Sequence, residues 1–376
     1  MIRMTLAEVA AAVSGTLHTA PHDTPDTTVD GDVDTDSRMI GAGDIFVAKP
    51  GDVTDGHRFV GDAVTSGAVL AIVERPVDAV VSQIVVADAV EALSALARTV
   101  VARVRAAGAL RIVGITGSNG KTTTKNMLAR ILQDEGETVA PRGSFNNEVG
   151  APLTMLRVRE DTRFLVSEFG ASGPGEIARL AGLVSPDVGV VLMVGLAHAG
   201  GFGGVEETLK AKTELVQAVR PGGVAVLNAD DARVVTMAEV AASRDVAVRW
   251  FGRGQTAEVR AEDVDVTASG TTCTIVSGTE RLPLRLRVLG EHHVMNALAA
   301  LTAARELGVP LAAAISRLET LEIAERWRMQ PLGSERARLL NDAYNASPHS
   351  MAAALRTLGQ IPAPGGSKVG GTGALS

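Results

Sequence analysis

Two hydrophobic patterns alternate along the chain. Short, nearly continuous apolar runs predict buried strands, and stretches with apolar residues at every third or fourth position predict amphipathic helices. Between residues 109 and 322 the two patterns follow each other in turn. This alternation predicts an α/β fold with a central parallel sheet that carries helices on both faces. Its strands are predicted over residues 110–115, 163–168, 187–194, 223–228 and 246–251.

The segment before this region mixes short strands with helices. A helix is predicted to begin at Thr5, which is placed to form a capping box with Glu8. A long alanine-rich helix is predicted over residues 89–107, where it leads into the central region. The strands predicted between these helices cover residues 44–48, 69–73 and 84–86.

The pattern changes again after the parallel strands. Residues 256–288 predict antiparallel hairpins, and residues 323–376 predict one strand over 337–341, one helix over 347–358 and a glycine-rich tail. About fifty residues of this kind cannot bury a core of their own, so we expect them to be an incomplete domain. The other helices are predicted over residues 121–133, 205–219, 292–306 and 311–318.

A glycine-rich turn connects the first central strand to the helix that follows. Residues 114–123 read G-I-T-G-S-N-G-K-T-T, a glycine-rich stretch that ends in Gly-Lys-Thr-Thr. Between a strand and a helix, such a turn directs backbone N–H groups and the helix dipole at an anion. The turn predicts a bound nucleoside triphosphate, with Lys121 on the β- and γ-phosphates and the Thr122 hydroxyl on Mg²⁺. The alternative is a glycine turn without a ligand. The predicted phosphate-binding residues are Gly117, Ser118, Asn119, Gly120, Lys121, Thr122 and Thr123.

Two polar residues follow predicted strands of the same sheet. Glu168 directly follows the strand residues 163–167, and His198 follows the strand over residues 187–194. Ligands gather at the carboxyl ends of parallel strands, so both side chains are candidates to hold a metal beside the phosphates. The alternatives are a carboxylate that caps a helix and a solvated loop histidine.

Three other polar positions each allow two interpretations. Lys212 lies on the helix predicted over residues 205–219, where a lysine is by default exposed. Residues 228–231, Asn-Ala-Asp-Asp, end a strand and suit either a nucleotide contact or a helix cap. His292 and Asn296 lie one helical turn apart and share a face. They suit contacts with a base or ribose, or a capping role.

Composition and charge narrow the class of protein. The chain has 376 residues, 46% hydrophobic and 21% charged, as is usual for a globular protein of two or three domains. A net charge of −7 argues against binding to nucleic acid. The single cysteine, Cys273, excludes an internal disulfide and suits a reducing compartment. The most apolar stretch, residues 188–197, is about half a membrane span, and the first residues lack a signal-peptide pattern. We therefore expect a cytoplasmic protein without membrane insertion.

These residues together resemble the Mur ligases of bacterial peptidoglycan synthesis, over about residues 3–352. Residues 116–124, T-G-S-N-G-K-T-T-T, resemble the family's ATP-binding loop. Residues 289–296, L-G-E-H-H-V-M-N, resemble the start of its nucleotide-binding helix, which implies that His292 and Asn296 contact the nucleotide. The N-terminal segments that resemble the family's uridine-nucleotide-binding domain are residues 36–38, 43–48, 55–57 and 67–68.

The resemblance implies that the chain is a ligase that uses ATP and Mg²⁺. Glu168 and His198 fall where the family places its magnesium ligands, and Lys212 falls on the lysine whose carbamate positions a metal in several members. With Thr122, these residues would hold the metal. The catalytic group implied is Lys121, Glu168, His198 and Lys212.

Two further stretches resemble the family members that add D-alanyl-D-alanine. They are S-F-N-N-E-V-G-A-P over residues 144–152 and N-D-A-Y-N-A-S-P over residues 341–348. The resemblance implies ATP-dependent joining of D-alanyl-D-alanine to UDP-N-acetylmuramoyl-tripeptide through an acyl phosphate, by a monomer. The substrate-binding residues implied are Ser37, Arg38, Asp55, His57, Asn146, Asn147, Asn341, Tyr344 and Asn345.

The resemblance also implies three domains. These are a UDP-substrate-binding domain over residues 1–108, an ATP-binding domain over 109–322, and a C-terminal ligase domain over 323–376. Only the first strand and helix of the last domain are recognisable, so an alternative is a non-catalytic remnant that binds ATP or UDP-muramoyl peptide without ligating. A folate-type polyglutamate ligase shares the central domain, but the uridine-type N-terminal segment disfavours it.

Overall fold

The chain forms two compact units. The computed structural model describes residues 1–51, 54–195, 204–267, 269–321, 330–334, 337–343 and 348–361. Unit 1 comprises Met1–Arg111 and Glu137–Ser167, and unit 2 comprises Ile112–Gly136 and Glu168–Ser376. The predicted division into three domains stays a prediction.

The helices and strands are numbered in chain order. The strands are β1 (Met4–Thr5), β2 (Thr16–His18), β3 (Thr28–Val29), β4 (Val33–Asp34), β5 (Ile45–Val47), β6 (Leu70–Val73), β7 (Ser82–Val85), β8 (Arg111–Thr116), β9 (Thr138–Val139), β10 (Phe164–Glu168), β11 (Val188–Val191), β12 (Val224–Asn228), β13 (Ala247–Gly252), β14 (Val259–Thr267), β15 (Gly270–Ser277), β16 (Glu280–Leu286), β17 (Gln330–Ser334) and β18 (Ala337–Asn341). The helices are α1 (Leu6–Ala12), α2 (Val60–Thr65), α3 (Ala89–Ala107), α4 (Lys121–Leu132), α5 (Gly150–Met155), α6 (Glu176–Gly182), α7 (Val205–Ala218), α8 (Ala232–Ala242), α9 (Glu291–Glu306), α10 (Leu311–Leu318) and α11 (Pro348–Gln360). Two short 3₁₀ helices cover Ser37–Met39 and Gly56–Phe59.

Unit 1 contains a five-stranded sheet in the order β2-β7-β6-β5-β4. β4, β5, β6 and β7 run parallel, and β2 joins the edge in the antiparallel direction. β5 and β6 are apolar without interruption because both of their faces are buried. Phe46, Ala71 and Val73 lie in this core. The predicted capping box is confirmed, since Thr5 and Glu8 exchange both hydrogen bonds at the start of α1.

Unit 2 contains most of the predicted parallel strands, whereas the strand predicted over residues 163–168 lies in unit 1 up to Ser167. β11 pairs in parallel with β8 on one side and with β12 on the other, and β13 continues the parallel order. β14 pairs in parallel with β13 over two residues, and β14, β15 and β16 then form an antiparallel meander. The α/β fold with a parallel sheet is therefore confirmed, and so are the antiparallel hairpins. The carboxyl ends of β8, β11 and β12 determine where the candidate site lies.

The sequence patterns located most of the long elements, but they missed the helix α8 and several short elements. α3 and α10 have the predicted bounds, whereas the two-residue strands β1, β3, β4 and β9 carry too little periodicity to be recognised. The prediction of a single strand after residue 323 was wrong, because β17 pairs with β18 in an antiparallel hairpin. The β17 sequence Q-P-L-G-S contains a proline and a glycine, which usually argue against a strand. None of the helices in the described ranges has both the length and the hydropathy that crossing a bilayer requires.

Candidate active site

The glycine-rich loop of unit 2 lies between β8 and α4, as predicted. β8 ends at Thr116 and α4 begins at Lys121. Gly117 and Gly120 have φ angles of 155° and 84°, a backbone region that side chains with a Cβ rarely adopt. Gly120 is the N-cap of α4 and provides no side-chain cap, so the first turn of the helix is suited to binding an anion.

Two buried side chains from other elements pack against this loop. A Cβ at Gly120 would collide with Oδ1 of Asn296, and a Cβ at Gly117 would lie 2.9 Å from Cβ of Leu192. The loop therefore needs glycine at both positions for lack of space as well as for φ. The structure brings Asn296, a predicted nucleotide contact on α9, to the phosphate loop.

Lys121 is folded over the loop. Its Nζ donates a hydrogen bond to the carbonyl oxygen of Gly117 at 2.8 Å. Phosphate oxygens are stronger acceptors for an ammonium group than one peptide carbonyl, because those hydrogen bonds join opposite charges. The side chain is therefore placed to exchange the carbonyl for the phosphates of a bound nucleotide.

Glu168 lies beside the strand that leads into the loop. It is the last residue of β10 and is 1% exposed. The next residue, Phe169, donates its N–H to the carbonyl of Ile115 at 2.9 Å and accepts the hydroxyl of Thr116 at 2.9 Å. The carboxylate is thus held next to the end of β8, where the loop starts.

The donor atoms at this position suit the predicted Mg²⁺. Glu168 provides carboxylate oxygens, and Thr122, buried in the first turn of α4, provides a hydroxyl oxygen. Oxygen donors are those that Mg²⁺ prefers, and it commonly uses one or two carboxylates together with waters and substrate phosphates. No cluster of three or more His, Cys, Asp or Glu side chains that could cage a metal occurs among the described residues. The predicted ligand His198 lies outside the described residues.

Lys212 is buried on α7, so its default interpretation as an exposed lysine was wrong. Burial, together with the positive charge of Lys121, lowers the pKa of the Lys212 ammonium to about 7, although Glu214 and Glu176 oppose the shift. A substantial fraction of the side chain is then a neutral amine at neutral pH. A neutral amine is the nucleophile that carbamylation by CO₂ requires, so the environment of Lys212 fits the predicted modification.

Glu214 lies two residues after Lys212 on α7, and the sequence patterns gave no indication of its role. Its carboxylate accepts the N–H of Gly175 at 2.6 Å and the N–H of Ala178 at 2.9 Å, and so caps α6. α6 follows the loop that begins after Glu168. Because the contacts join residues 36 to 39 positions apart, no local pattern could have predicted them.

His292 borders a polar cavity at the start of α9. The cavity has a volume of about 210 Å³. Glu291 in its wall accepts hydrogen bonds from Arg253 at 3.3 Å and from Gln360 at 2.9 Å. A polar cavity of this kind suits the base or ribose of a nucleotide whose phosphates lie at the loop. Its lining residues are Arg253, Glu291, His292, Met295, Ala353, Arg356, Thr357 and Gln360.

In unit 1, the predicted substrate residues Asp55 and His57 bind each other. Nδ1 of His57 lies 2.6 Å from Oδ1 of Asp55, and Nε2 accepts the N–H of Glu74 at 2.8 Å. Nε2 is therefore unprotonated, and Nδ1 carries the proton that Asp55 accepts. Hydrogen bonds from Arg75 and His57 hold the pKa of Asp55 well below its usual range. Both ring nitrogens of His57 are thus used within unit 1, and a contact with substrate stays a prediction.

The other predicted substrate residues have different local settings. Ser37 begins a 3₁₀ helix, and the exposed Arg38 in that helix forms a 2.6 Å ion pair with Asp36.

Asn147 accepts the N–H of Gly150 at 2.9 Å at the start of α5, and Asn146 precedes it in the chain. Asn341 ends β18 and accepts the N–H of Ala343 at 3.2 Å. Tyr344 and Asn345 lie outside the described residues, and the substrate role of all these residues stays a prediction.

Comparison with known protein families gives two adjacent matches. Residues 115–304 match the family model described as the Mur ligase middle domain. Residues 32–113 match the model described as the catalytic domain of the Mur ligase family. The first match contains the phosphate loop, Glu168, Lys212 and Asn296.

Relatives and solved structures agree with these matches. The UDP-N-acetylmuramoyl-tripeptide–D-alanyl-D-alanine ligase of Mycobacterium tuberculosis is 41% identical over 382 residues, which cover 96% of this chain and 74% of the relative. MurF from Acinetobacter baumannii superimposes with a TM-score of 0.86 at 34% identity, over 95% of this chain and 77% of that one. The MurF ligase from Thermotoga maritima in complex with ADP gives a TM-score of 0.77 at 28% identity, over 89% and 75%. The chain therefore belongs to the Mur ligase family.

Proposed function

We propose that this chain joins D-alanyl-D-alanine to UDP-N-acetylmuramoyl-tripeptide with the consumption of ATP. The observation that supports this proposal most strongly is the 41% identity, over 96% of the chain, with a UDP-N-acetylmuramoyl-tripeptide–D-alanyl-D-alanine ligase. The reaction provides the precursor for peptidoglycan synthesis, on which cell shape and division depend. The remnant that binds without ligating is not favoured, because the relatives that match nearly the whole chain are named as ligases.

The reaction activates a carboxylate that is by itself a poor electrophile. The terminal carboxylate of the tripeptide attacks the γ-phosphorus of ATP, and ADP leaves with the electrons of the broken P–O bond. The amine of D-alanyl-D-alanine then attacks the acyl carbon, and inorganic phosphate leaves as the peptide bond forms. Lys121 would stabilise the negative charge on the transferred phosphoryl group, since it already lies over the loop.

Mg²⁺ is the proposed second cofactor. Thr122, Glu168, His198 and carbamylated Lys212 would hold it, and when bound it neutralises negative charge on the phosphates. The oxygen donors of Glu168 and Thr122 and the lowered pKa of Lys212 support this proposal. Asn296 and His292 would orient the nucleoside part of ATP.

The residues that we assign to substrate binding lie in unit 1 and in the C-terminal segment. Arg38 is exposed, and its guanidinium, which pairs with Asp36 in this structure, has the charge and the geometry to bind the diphosphate of UDP. The other residues that we assign to substrate binding are Ser37, Asp55, His57, Asn146, Asn147, Asn341, Tyr344 and Asn345. We also propose that the chain works as a monomer in the cytoplasm, where its highly charged substrates are confined because they do not cross a bilayer.

A ligation assay tests the proposed function. The chain is incubated with ATP, Mg²⁺, UDP-N-acetylmuramoyl-tripeptide and D-alanyl-D-alanine, and phosphate release and the pentapeptide product are measured together. We expect phosphate and the pentapeptide product in equal amounts. We expect no phosphate release when either UDP-N-acetylmuramoyl-tripeptide or D-alanyl-D-alanine is omitted. Binding of ADP without turnover would instead favour the remnant.

We expect Lys212 to carry a carbamate. ¹³C NMR of the protein in ¹³C-labelled bicarbonate should show a carbamate signal that Lys212→Ala removes together with the ligase activity. At a fixed CO₂ pressure the signal should grow as the pH rises through about 7, because the ammonium form, which cannot react, loses its proton there. The matched control is Lys210→Ala, an exposed lysine on the same helix, which should change neither readout. A carbamate signal that persists in Lys212→Ala would contradict the assignment.

A further inference from the structure

The phosphate loop rests on the chain segment that follows β11, residues 192–195. The N–H of Leu192 donates to the carbonyl of Thr116, and the N–H of Ser118 donates to the carbonyl of Met193, both at 3.0 Å. The hydroxyl of Ser118 accepts the N–H of Gly195 at 2.9 Å and donates to its carbonyl at 3.1 Å. The position of the loop therefore depends on the position of segment 192–195.

Segment 192–195 is held from its other side by the end of β12. The side-chain amide of Asn228 donates to the carbonyl of Leu192 at 2.8 Å. The N–H of Val194 donates to Oδ2 of Asp231, also at 2.8 Å. Asn228 and Ser118 are buried, so water competes poorly for these hydrogen bonds.

Asn228 and Asp231 belong to a second short segment, residues 228–231, which also contacts the end of β13. Asp230 accepts the N–H of Arg253 at 2.6 Å and that of Gly254 at 3.0 Å. Its own N–H donates to Oδ1 of Asn228 at 2.9 Å. Segment 228–231 thus joins the carboxyl ends of β11, β12 and β13, and Arg253 in turn lines the cavity beside His292.

We propose that Asn228 and Asp231 are positioning residues for the phosphate loop, acting through segment 192–195 and Ser118. This inference rests on the proposed function and adds to it two side chains whose described contacts reach the loop only through segment 192–195. Of the two interpretations of residues 228–231 from the sequence, the structure bears out the cap and adds a second contact. Asp231 holds Val194, and the next residue, Gly195, is hydrogen-bonded to Ser118 of the loop.

Helix capping alone does not account for Asp231. Its Oδ1 accepts the N–H of Arg233 at 3.0 Å and of Val234 at 3.4 Å, which is the cap of α8. Its Oδ2 is engaged with Val194. Because the two oxygens have separate partners, a substitution can remove one function and keep the other.

Asp231→Ser is that substitution. Serine is a good N-cap residue, but its single oxygen cannot replace both carboxylate oxygens, so the contact with Val194 is lost. Asn228→Asp is the parallel variant. It keeps the side-chain oxygen that accepts the N–H of Asp230 and removes the amide N–H that donates to the carbonyl of Leu192. The matched control is Asp88→Ser, because Asp88 caps α3 through a single oxygen that bonds Val90 and Glu91.

The measurements are the Kd for ADP by titration calorimetry, kcat and KM for ligation, and the thermal midpoint. We expect Asp231→Ser and Asn228→Asp to raise the Kd for ADP and to lower kcat, each about tenfold, the effect of one hydrogen bond to a charged or buried group. The KM for D-alanyl-D-alanine should stay within about twofold, because none of the residues that we assign to substrate binding lies in the loop. Asp88→Ser changes a helix cap in the same way but loses no second hydrogen bond, and it should leave Kd and kcat unchanged.

Wild-type values of Kd and kcat in both variants, as in Asp88→Ser, would overturn the proposal and leave Asp231 as a helix cap. A wild-type chain that binds ADP but does not ligate would count against the proposed function. The comparison of ADP affinity would still decide whether Asn228 and Asp231 position the loop, because it requires no ligation.

Discussion

Replacing Lys121 by alanine is expected to lower kcat/KM for ligation by at least about a thousandfold, because no other described residue of the loop brings a positive charge to the phosphates. Its ammonium now bonds the carbonyl of Gly117, and a bound triphosphate would take over that hydrogen bond. Phosphate release with saturating peptide substrates measures the effect. The binding of UDP-N-acetylmuramoyl-tripeptide alone should be unchanged.

Arg130→Ala is the matched control for Lys121. Arg130 is on the same helix, near the opposite end, where it forms a 3.1 Å ion pair with Asp134. Its loss removes one positive charge from α4 without touching the loop, and we expect activity within about twofold of the wild type. If Lys121→Ala retained wild-type turnover, the assignment of the loop as the ATP site would have to be abandoned.

Replacing Glu168 by glutamine is expected to lower kcat by at least about a hundredfold, because a neutral amide is a far weaker Mg²⁺ ligand than a carboxylate. Glutamine has nearly the same shape, so the packing at the end of β10 is kept. The variant should need a higher Mg²⁺ concentration for half-maximal rate, and a titration of the rate against Mg²⁺ measures both effects.

Glu160→Gln provides the comparison for Glu168, since Glu160 is an exposed carboxylate of unit 1. It should leave the rate and the Mg²⁺ requirement unchanged. Equal Mg²⁺ dependence in Glu168→Gln and the wild type would show that Glu168 does not bind the metal, even if the rate fell.

The phosphate loop could be predicted from the sequence because its physical requirements are local. Gly117 and Gly120 provide the positive φ angles, Lys121 provides the charge, and β8 and α4 have clear periodicities on either side. The same holds for α3, whose apolar positions and N-cap, Asp88, define its bounds. Such features need only neighbours in the chain, so a single sequence contains the information.

The site residues far from the loop depended on the tertiary structure. The sequence pattern of α7 suggests an exposed Lys212, and only the packing within unit 2 shows that it is buried with a lowered pKa. Glu214 and Asp231 accept hydrogen bonds from segments 36 to 39 residues away, which no local pattern encodes. β17 was missed for a related reason, since its pairing with β18 overrides a sequence that disfavours strands.

The sequence by itself determined that this protein has a parallel α/β sheet with a nucleotide-phosphate loop at Gly117 to Thr123, because glycine geometry, helix capping and strand periodicity act between neighbouring residues. Only the tertiary structure decided which polar side chains support that loop. Asn296 packs against Gly120 from helix α9, and the buried Lys212 lies on helix α7. Asn228 and Asp231 hold segment 192–195, on which the loop rests, because the carboxyl ends of parallel strands share one edge of the sheet.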